Sequence, residues 1–118
     1  MSVAVIIVNY NSGALLSRCL KSMSDQTLCA DELVVVDNAS TDAESQSVLA
    51  SVTTATVIKS ETNLGYGGAI NLAVRKIDTT DYIVCLNPDA FPEPNWLEAM
   101  VNAADIHPNY GSFASLML

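Results

Sequence analysis

The stretch that decides the fold is Tyr82-Ile83-Val84-Cys85-Leu86-Asn87-Pro88-Asp89-Ala90-Phe91-Pro92. Its first five residues are apolar without alternation, which is typical of a central parallel strand with both faces buried. Pro88 ends the hydrogen-bonded ladder because it has no N–H group, and it lies between Asn87 and Asp89. Ligands bind beyond the carboxyl ends of parallel strands, where a carboxylate can hold a cation such as Mg²⁺. A plain turn or helix cap is the alternative interpretation, since Asn, Pro and Asp are ordinary turn residues.

Strand and helix patterns alternate four times along the chain. Apolar runs predict three further strands at residues 3–8, 33–36 and 56–59, and helical spacing predicts a helix after each strand. This alternation predicts an α/β fold with a parallel sheet and helices on both faces. Residues 112–118 are predicted to begin one more strand, and we expect the protein to continue beyond Leu118; the alternative is a fold that uses this strand as its last. The buried faces of the last two helices are predicted at Tyr66, Ile70, Ala73 and Ile77, and at Trp96, Leu97, Met100, Val101 and Ala104.

Composition indicates a single domain of 118 residues, half of them hydrophobic, with a net charge of −8. The charge excludes the basic surface of a nucleic-acid-binding protein. An anionic ligand would need a divalent cation to offset the repulsion, although the charge also serves solubility. Three cysteines without a C-x-x-C motif indicate reduced, structural thiols in a cytosolic protein, with Cys85 in a buried strand.

Polar residues end three of the predicted strands, in the segments Asn9-Tyr10-Asn11, Asp37-Asn38 and Asn87-Pro88-Asp89. Because parallel strands share one carboxyl edge, we expect these residues to converge on a ligand-binding crevice. A G-x-G-x-x-G fingerprint after the first strand and a Walker A motif are missing from the sequence. A Ser-His-Asp catalytic set is not indicated, because the single histidine, His107, precedes a proline in a predicted helix-ending turn. The segment Gly65-Tyr66-Gly67-Gly68 fits either a backbone approach to an anion or a plain helix-entry turn.

Four segments together resemble the successive motifs of family 2 glycosyltransferases, and most of all the branch that contains rhamnosyltransferases. The order and separation of the motifs match along nearly the whole chain. The segments are Val5-Ile6-Ile7-Val8-Asn9-Tyr10-Asn11, Val34-Val35-Val36-Asp37-Asn38-Ala39-Ser40-Thr41-Asp42, Asn63-Leu64-Gly65-Tyr66-Gly67-Gly68-Ala69-Ile70-Asn71 and Leu86-Asn87-Pro88-Asp89-Ala90-Phe91-Pro92. The resemblance implies the A-type glycosyltransferase fold, a Rossmann-like three-layer sandwich with a mostly parallel sheet that is truncated here.

The resemblance also implies which residues contact a nucleotide-diphosphate sugar donor, linked to UDP or dTDP. Asp37 would hydrogen-bond the pyrimidine base, while Tyr10 and Asn9 would line the base and ribose. Asn63 and Gly65 would lie along the nucleotide. Residues 1–118 would then be the nucleotide-sugar-binding part of a glycosyltransferase domain, without the acceptor-binding part.

The metal site implied by the resemblance depends on Asp89, which matches the last acid of the family's Asp-x-Asp motif. It would bind Mn²⁺ or Mg²⁺ bridging the diphosphate. Asn87 stands where that motif has an acid; it can hydrogen-bond a ribose hydroxyl but is a poorer metal ligand. The general base of the family's inverting reaction would follow Leu118, so we expect this chain alone to lack transferase activity.

The implied enzyme is a hexosyl- or rhamnosyltransferase of polysaccharide and cell wall biosynthesis, located in the cytoplasm at the inner face of the membrane. Its partners would be the donor and a saccharide or lipid-linked acceptor. The alternative is a non-catalytic nucleotide-binding module of the same fold.

Overall fold

The computed structural model of the chain describes residues 2–78 and 80–115. Strands and helices alternate as the sequence predicts. They are β1 (Val3–Asn9), α1 (Gly13–Ser24), β2 (Glu32–Asn38), α2 (Ala43–Ser51), β3 (Thr56–Ser60), α3 (Gly65–Lys76), β4 (Tyr82–Leu86) and α4 (Trp96–Ile106). The predicted last strand does not form in residues 112–115, and the remaining three residues of that prediction, 116–118, lie outside the described part.

The described sheet has the strand order β3-β2-β1-β4, and all of its pairings are parallel. The two inner strands are β2 and β1, and all seven residues of β1 are buried. Its β-branched run packs on both faces of the sheet because Val3, Val5 and Ile7 face one way while Ile6 and Val8 face the other.

The prediction that Tyr82–Leu86 forms a central strand is wrong for the described sheet. Strand β4 lies at its edge, where Ile83 is 43% exposed and Cys85 is also exposed. Leu86 and Val84 pack into the core on one face of the sheet. Among the described residues the opposite face of β4 is only partly covered, because α3 packs mainly over β1 and β2. An unalternating apolar run therefore marked a strand without showing how many of its faces are covered.

Three layers form the domain. Helices α1, α2 and α4 cover one face of the sheet around a core that includes Leu16, Leu49 and Leu97. Helix α3 covers the other face through Ala69 and Ala73, whose small side chains let the helix approach the sheet closely.

The predicted buried face of α3 is only partly correct. Ala73 is buried, whereas Tyr66 is 49% exposed. The helix begins at Gly65, so Tyr66 lies in its first turn. Tyr66 therefore lines the cleft described below instead of the core.

The N-termini of α1 and α2 pack against each other at Gly13. A Cβ atom at this position would collide with the backbone of Glu44 and Ser45. Asp42 caps α2, because its Oδ2 accepts hydrogen bonds from the Ser45 amide at 3.1 Å and the Ser45 hydroxyl at 2.9 Å. These bonds lower the pKa of the Asp42 carboxyl, so the cap stabilises the fold at neutral pH and loses this contribution as the carboxyl becomes protonated in acid.

Within the described residues, none of the helices is both long enough and apolar enough to cross a bilayer.

Candidate functional site

A cleft of about 500 Å³ opens at the carboxyl ends of β1 and β4, as the strand-end pattern predicts. The start of α1 and the start of α3 form its other walls. Five of the seven predicted site residues line it: Tyr10, Asn63, Gly65, Asn87 and Asp89. The cleft also includes Val8, Ser12, Leu15, Asn38, Tyr66 and Pro88.

The other two predicted site residues, Asn9 and Asp37, are buried and are not among the lining residues. They are opposite one another in the β1–β2 register. The Asn9 Nδ2 group lies 3.2 Å from Asp37 Oδ1, 3.2 Å from Ser40 Oγ and 3.0 Å from Ser45 Oγ. We call these four residues the Asn9 network. A direct contact of Asn9 or Asp37 with a nucleotide stays a prediction.

The loop after β1 is joined to the loop after β2 by Asn11. Its Oδ1 accepts hydrogen bonds from the amides of Thr41 at 2.8 Å and Asp42 at 3.3 Å. The backbone N–H of Asn11 donates a hydrogen bond to Ser40 Oγ at 2.9 Å. Asn11 has a φ of 51°, in the left-handed region that Asn tolerates better than most residues. The two loops therefore form one hydrogen-bonded unit.

The loop before α3 is held by Asn38, a residue whose role the sequence interpretation missed. Asn38 Oδ1 accepts a hydrogen bond from the Leu64 amide at 2.8 Å, and its Nδ2 donates to the Gly65 carbonyl at 3.2 Å. Asn63 Oδ1 accepts from the Gly65 amide at 2.9 Å, and Gly65 has a φ of 74°. The only signal in the sequence was a polar residue directly after Asp37 at a strand end.

The turn that carries Asp89 packs on α1. The Ala90 amide donates to the Asn87 carbonyl at 3.1 Å, and the Cys19 thiol donates to the same carbonyl with a sulfur-to-oxygen distance of 3.6 Å. Burial, with a smaller contribution from the nearby Asp89 charge, raises the pKa of Cys19 to about 11. The thiol therefore stays protonated at neutral pH and can donate this bond.

Two aromatic residues, Tyr10 and Tyr66, line the cleft with about half of their surface exposed, at 50% and 49%. Burial raises the pKa of Tyr66, and the adjacent Cys85 raises it further. Each of these two half-exposed side chains combines an apolar ring with a hydroxyl group, a combination that suits a flat, polar ligand.

This cleft can hold a divalent cation only if a bound nucleotide or other substrate supplies further oxygen atoms to it. No group of three or more His, Cys, Asp or Glu side chains with metal-binding geometry occurs among residues 2–78 and 80–115. Asp89 is an exposed carboxylate at the cleft, which Asn87 also lines. Mg²⁺ is commonly held by one or two carboxylates plus substrate phosphates, so one carboxylate and a diphosphate are chemically sufficient.

The environments of the cysteines give a direct test of the packing around Asp89. Cys29 and Cys85 are exposed, which corrects the prediction that Cys85 is buried, whereas Cys19 is buried. We expect iodoacetamide at pH 8 to modify Cys29 and, more slowly, Cys85 in the native protein, and Cys19 only after denaturation. The thiolate is the reactive form, and desolvation raises the pKa of both Cys85 and Cys19. Intact mass spectrometry checks the stoichiometry. A Cys19→Ser control should still take up two labels, and rapid native labelling of Cys19 would contradict the packing.

Comparison with solved structures and curated sequences places this fold among glycosyltransferases. The mannosyltransferase PcManGT from Pyrobaculum calidifontis, solved with GDP-Man and Mn²⁺, superposes with a TM-score of 0.76 and 30% identity, covering 86% of this chain and 32% of that protein. The predicted A-type glycosyltransferase fold is thereby confirmed.

Two curated relatives are rhamnosyltransferases. The N-acetylglucosaminyl-diphospho-decaprenol L-rhamnosyltransferase of Mycobacterium tuberculosis is 28% identical over 96% of this chain and 40% of its own length. The O-antigen chain rhamnosyltransferase RfbN of Salmonella typhimurium is 32% identical over 76% of this chain and 29% of its own. The chain therefore spans less than half the length of these relatives. The family model described as "Glycosyl transferase family 2" matches residues 4–117, and the chain belongs to that family.

Proposed function

We propose that the chain is the donor-binding part of a glycosyltransferase that transfers a sugar from a UDP- or dTDP-linked donor to a saccharide or lipid-linked acceptor. The observation that supports it most is that one cleft collects residues from all four motifs. Their backbone positions follow from the parallel order of β1, β2 and β4 and from the start of α3. Membership of a glycosyltransferase family supports the class of reaction.

The proposed reaction is metal-assisted and inverting. Asp89 would hold Mn²⁺ or Mg²⁺ together with the donor diphosphate, and Asn87 would hydrogen-bond a ribose hydroxyl. When bound, the cation supplies charge stabilisation for the departing nucleoside diphosphate. The chain itself has a net charge of −8, so this cation also offsets repulsion of an anionic donor. Tyr10 would flank the base and ribose, and Asn63 and Gly65 would contact the rest of the nucleotide.

The proposed biological setting is polysaccharide and cell wall biosynthesis. The relative from M. tuberculosis is named for a rhamnosyl transfer to a decaprenol-linked sugar, and the relative from S. typhimurium for O-antigen chains. These names support a rhamnosyl or hexosyl donor and a lipid-linked acceptor. We accordingly propose a cytoplasmic location at the inner face of the membrane.

Base preference tests the proposed role of Asp37. An ionised carboxylate only accepts hydrogen bonds, and uracil and thymine present an N3–H donor where cytosine presents an acceptor. The Asn9 bond goes to Asp37 Oδ1, so Oδ2 is the atom we assign to the base. A bond to a charged group contributes about 1.5–3 kcal/mol, so Asp37→Ala should weaken UDP and dTDP binding roughly 10- to 150-fold and CDP binding far less.

The measurement is calorimetric titration with UDP, dTDP, CDP and GDP in the presence of Mn²⁺. GDP belongs in the series because guanine also offers N–H donors to a carboxylate, and PcManGT was solved with GDP-Man. Asp37→Asn, which keeps the size but removes the charge, is the matched control for packing. Equal binding of CDP and UDP by the wild type would contradict base reading by Asp37, and a purely structural role would lower the melting temperature without changing base preference.

The alternative function, a nucleotide-binding module without turnover, is favoured by Asn87, which replaces an acid of the family motif. Both functions share the donor site. Transfer of a labelled sugar to an acceptor by the protein extended to the length of its relatives would support the enzyme. Nucleotide binding without any transfer or donor hydrolysis would support the module.

A further inference from the structure

The loop between β3 and α3, taken together with Gly65 at the start of α3, contributes Asn63 and Gly65 to the cleft, yet it has little packing of its own. Residues 61–67 are all exposed. Gly65 has a positive φ of 74°, and no heavy atom of the described residues lies within 4 Å of the position that a Cβ would occupy. Glycine loses more backbone entropy on ordering than any other residue. A fixed conformation at Gly65 therefore needs hydrogen bonds from residues outside this loop.

Those bonds come from Asn38 at the end of β2. This residue is only 3% exposed, and both polar atoms of its amide contact the loop backbone on either side of the Leu64–Gly65 peptide. A side-chain amide that both donates and accepts fixes the loop's position and its orientation, because each bond constrains a different backbone group. Asn38 is itself held by the β2–β3 pairing, in which it lies opposite Ser60.

We propose that Asn38 is a positioning residue that holds the Asn63–Gly65 loop in the shape that binds the nucleotide. The inference rests on the proposed nucleotide-binding function. A loop ordered before the ligand arrives improves affinity because the entropy of ordering is not lost on binding. Asn38 thus acts through the loop, in addition to forming part of the cleft wall.

The first test needs no ligand. Hydrogen exchange measured by NMR should show the Leu64 amide protected in the wild type and exchanging roughly tenfold faster or more in Asn38→Ala, because its acceptor is removed. Asn38→Asp retains an acceptor oxygen, so it should keep Leu64 protected while losing the bond to the Gly65 carbonyl. Equal protection of Leu64 in the wild type and in Asn38→Ala would overturn the inference.

The second test measures UDP or dTDP affinity with Mn²⁺ at a temperature well below the melting transition of each variant. Asn38→Ala should bind roughly tenfold more weakly or worse, since two bonds that hold the loop are lost. The matched control is Asn102→Ala, at an exposed position on α4 outside the cleft, which should bind as the wild type does. A lower melting temperature with unchanged affinity would show a structural role only and would overturn the inference.

The two proposals fail in different ways. If the wild type binds no nucleotide, the proposed function fails and this inference fails with it. If the wild type binds and Asn38→Ala binds equally well, only the positioning role is refuted.

Discussion

Replacing Asp89 with Asn should remove the metal dependence of nucleotide binding and weaken binding roughly 100-fold or more. Asp89 is exposed at the cleft, and the described residues supply no metal-binding group of three acidic, His or Cys side chains to take its place. Loss of a residue that only supports a metal ligand typically weakens metal affinity 10- to 100-fold, so loss of the ligand itself should reach at least the upper end. Calorimetry with UDP or dTDP, with and without Mn²⁺, measures the effect.

The matched control is Asp78→Asn. Asp78 is also exposed, but it lies between α3 and β4, at the end of the sheet opposite to the cleft. The substitution removes the same charge, so it corrects for the change in the net charge of −8. Mn²⁺-stimulated binding of equal strength in the Asp89 and Asp78 variants would refute the assignment of Asp89 as the metal ligand.

Gly13→Ala should destabilise the fold by about 3 kcal/mol, the upper part of the range for inserting an extra carbon into a packed interior. The added Cβ would meet the backbone of Ser45 and Glu44, which cannot rotate away as a side chain could. Relief would require α1 and α2 to separate, and Asp42 would then lose its cap geometry. For a domain of this size, a loss of this magnitude lowers the melting temperature by about 10 °C. Thermal denaturation followed by circular dichroism measures it.

A control for this effect is Gly67→Ala in the first turns of α3. In the part of the chain that the structure describes, no heavy atom lies within 4 Å of a Cβ placed at Gly67, so Ala should be neutral or slightly stabilising in this helix. A melting temperature for Gly13→Ala within about 2 °C of the wild type would contradict the close packing of the two helix N-termini. Such a shift corresponds to a loss of unfolding free energy on the order of half a kcal/mol.

The fold was predictable from the sequence because its β-branched runs and helical spacings are strong local signals. Strand β1 and the alternation of strands and helices follow directly from them. The environment of β4 was not predictable, since burial depends on which helix covers which strand. Ile83 and Cys85 look like core residues in sequence but lie on the face that α3 covers only in part.

The location of the candidate site was likewise predictable, because parallel strands place their polar ends at one edge. The hydrogen-bond partner of each of those polar residues was not predictable. Asn38 and Asp37 are adjacent in sequence but have different partners. Asn38 accepts a hydrogen bond from the Leu64 amide, 26 residues away, whereas Asp37 accepts one from the Asn9 side chain. Pairwise side-chain contacts of this kind depend on tertiary distances that no local pattern encodes. The same limit applies to Tyr66, whose exposure follows from the point at which α3 begins.

The Asn9 network has a consequence for any attempt to change donor preference by mutation. Asn9 shares two N–H groups among three oxygen atoms, those of Asp37, Ser40 and Ser45. An altered Asp37 therefore changes the partners available to residues on two other segments, so substitutions within this set should combine non-additively. A library that varies these positions one at a time would discard combinations that work only together, and new base preferences should instead be sought by randomising the set jointly.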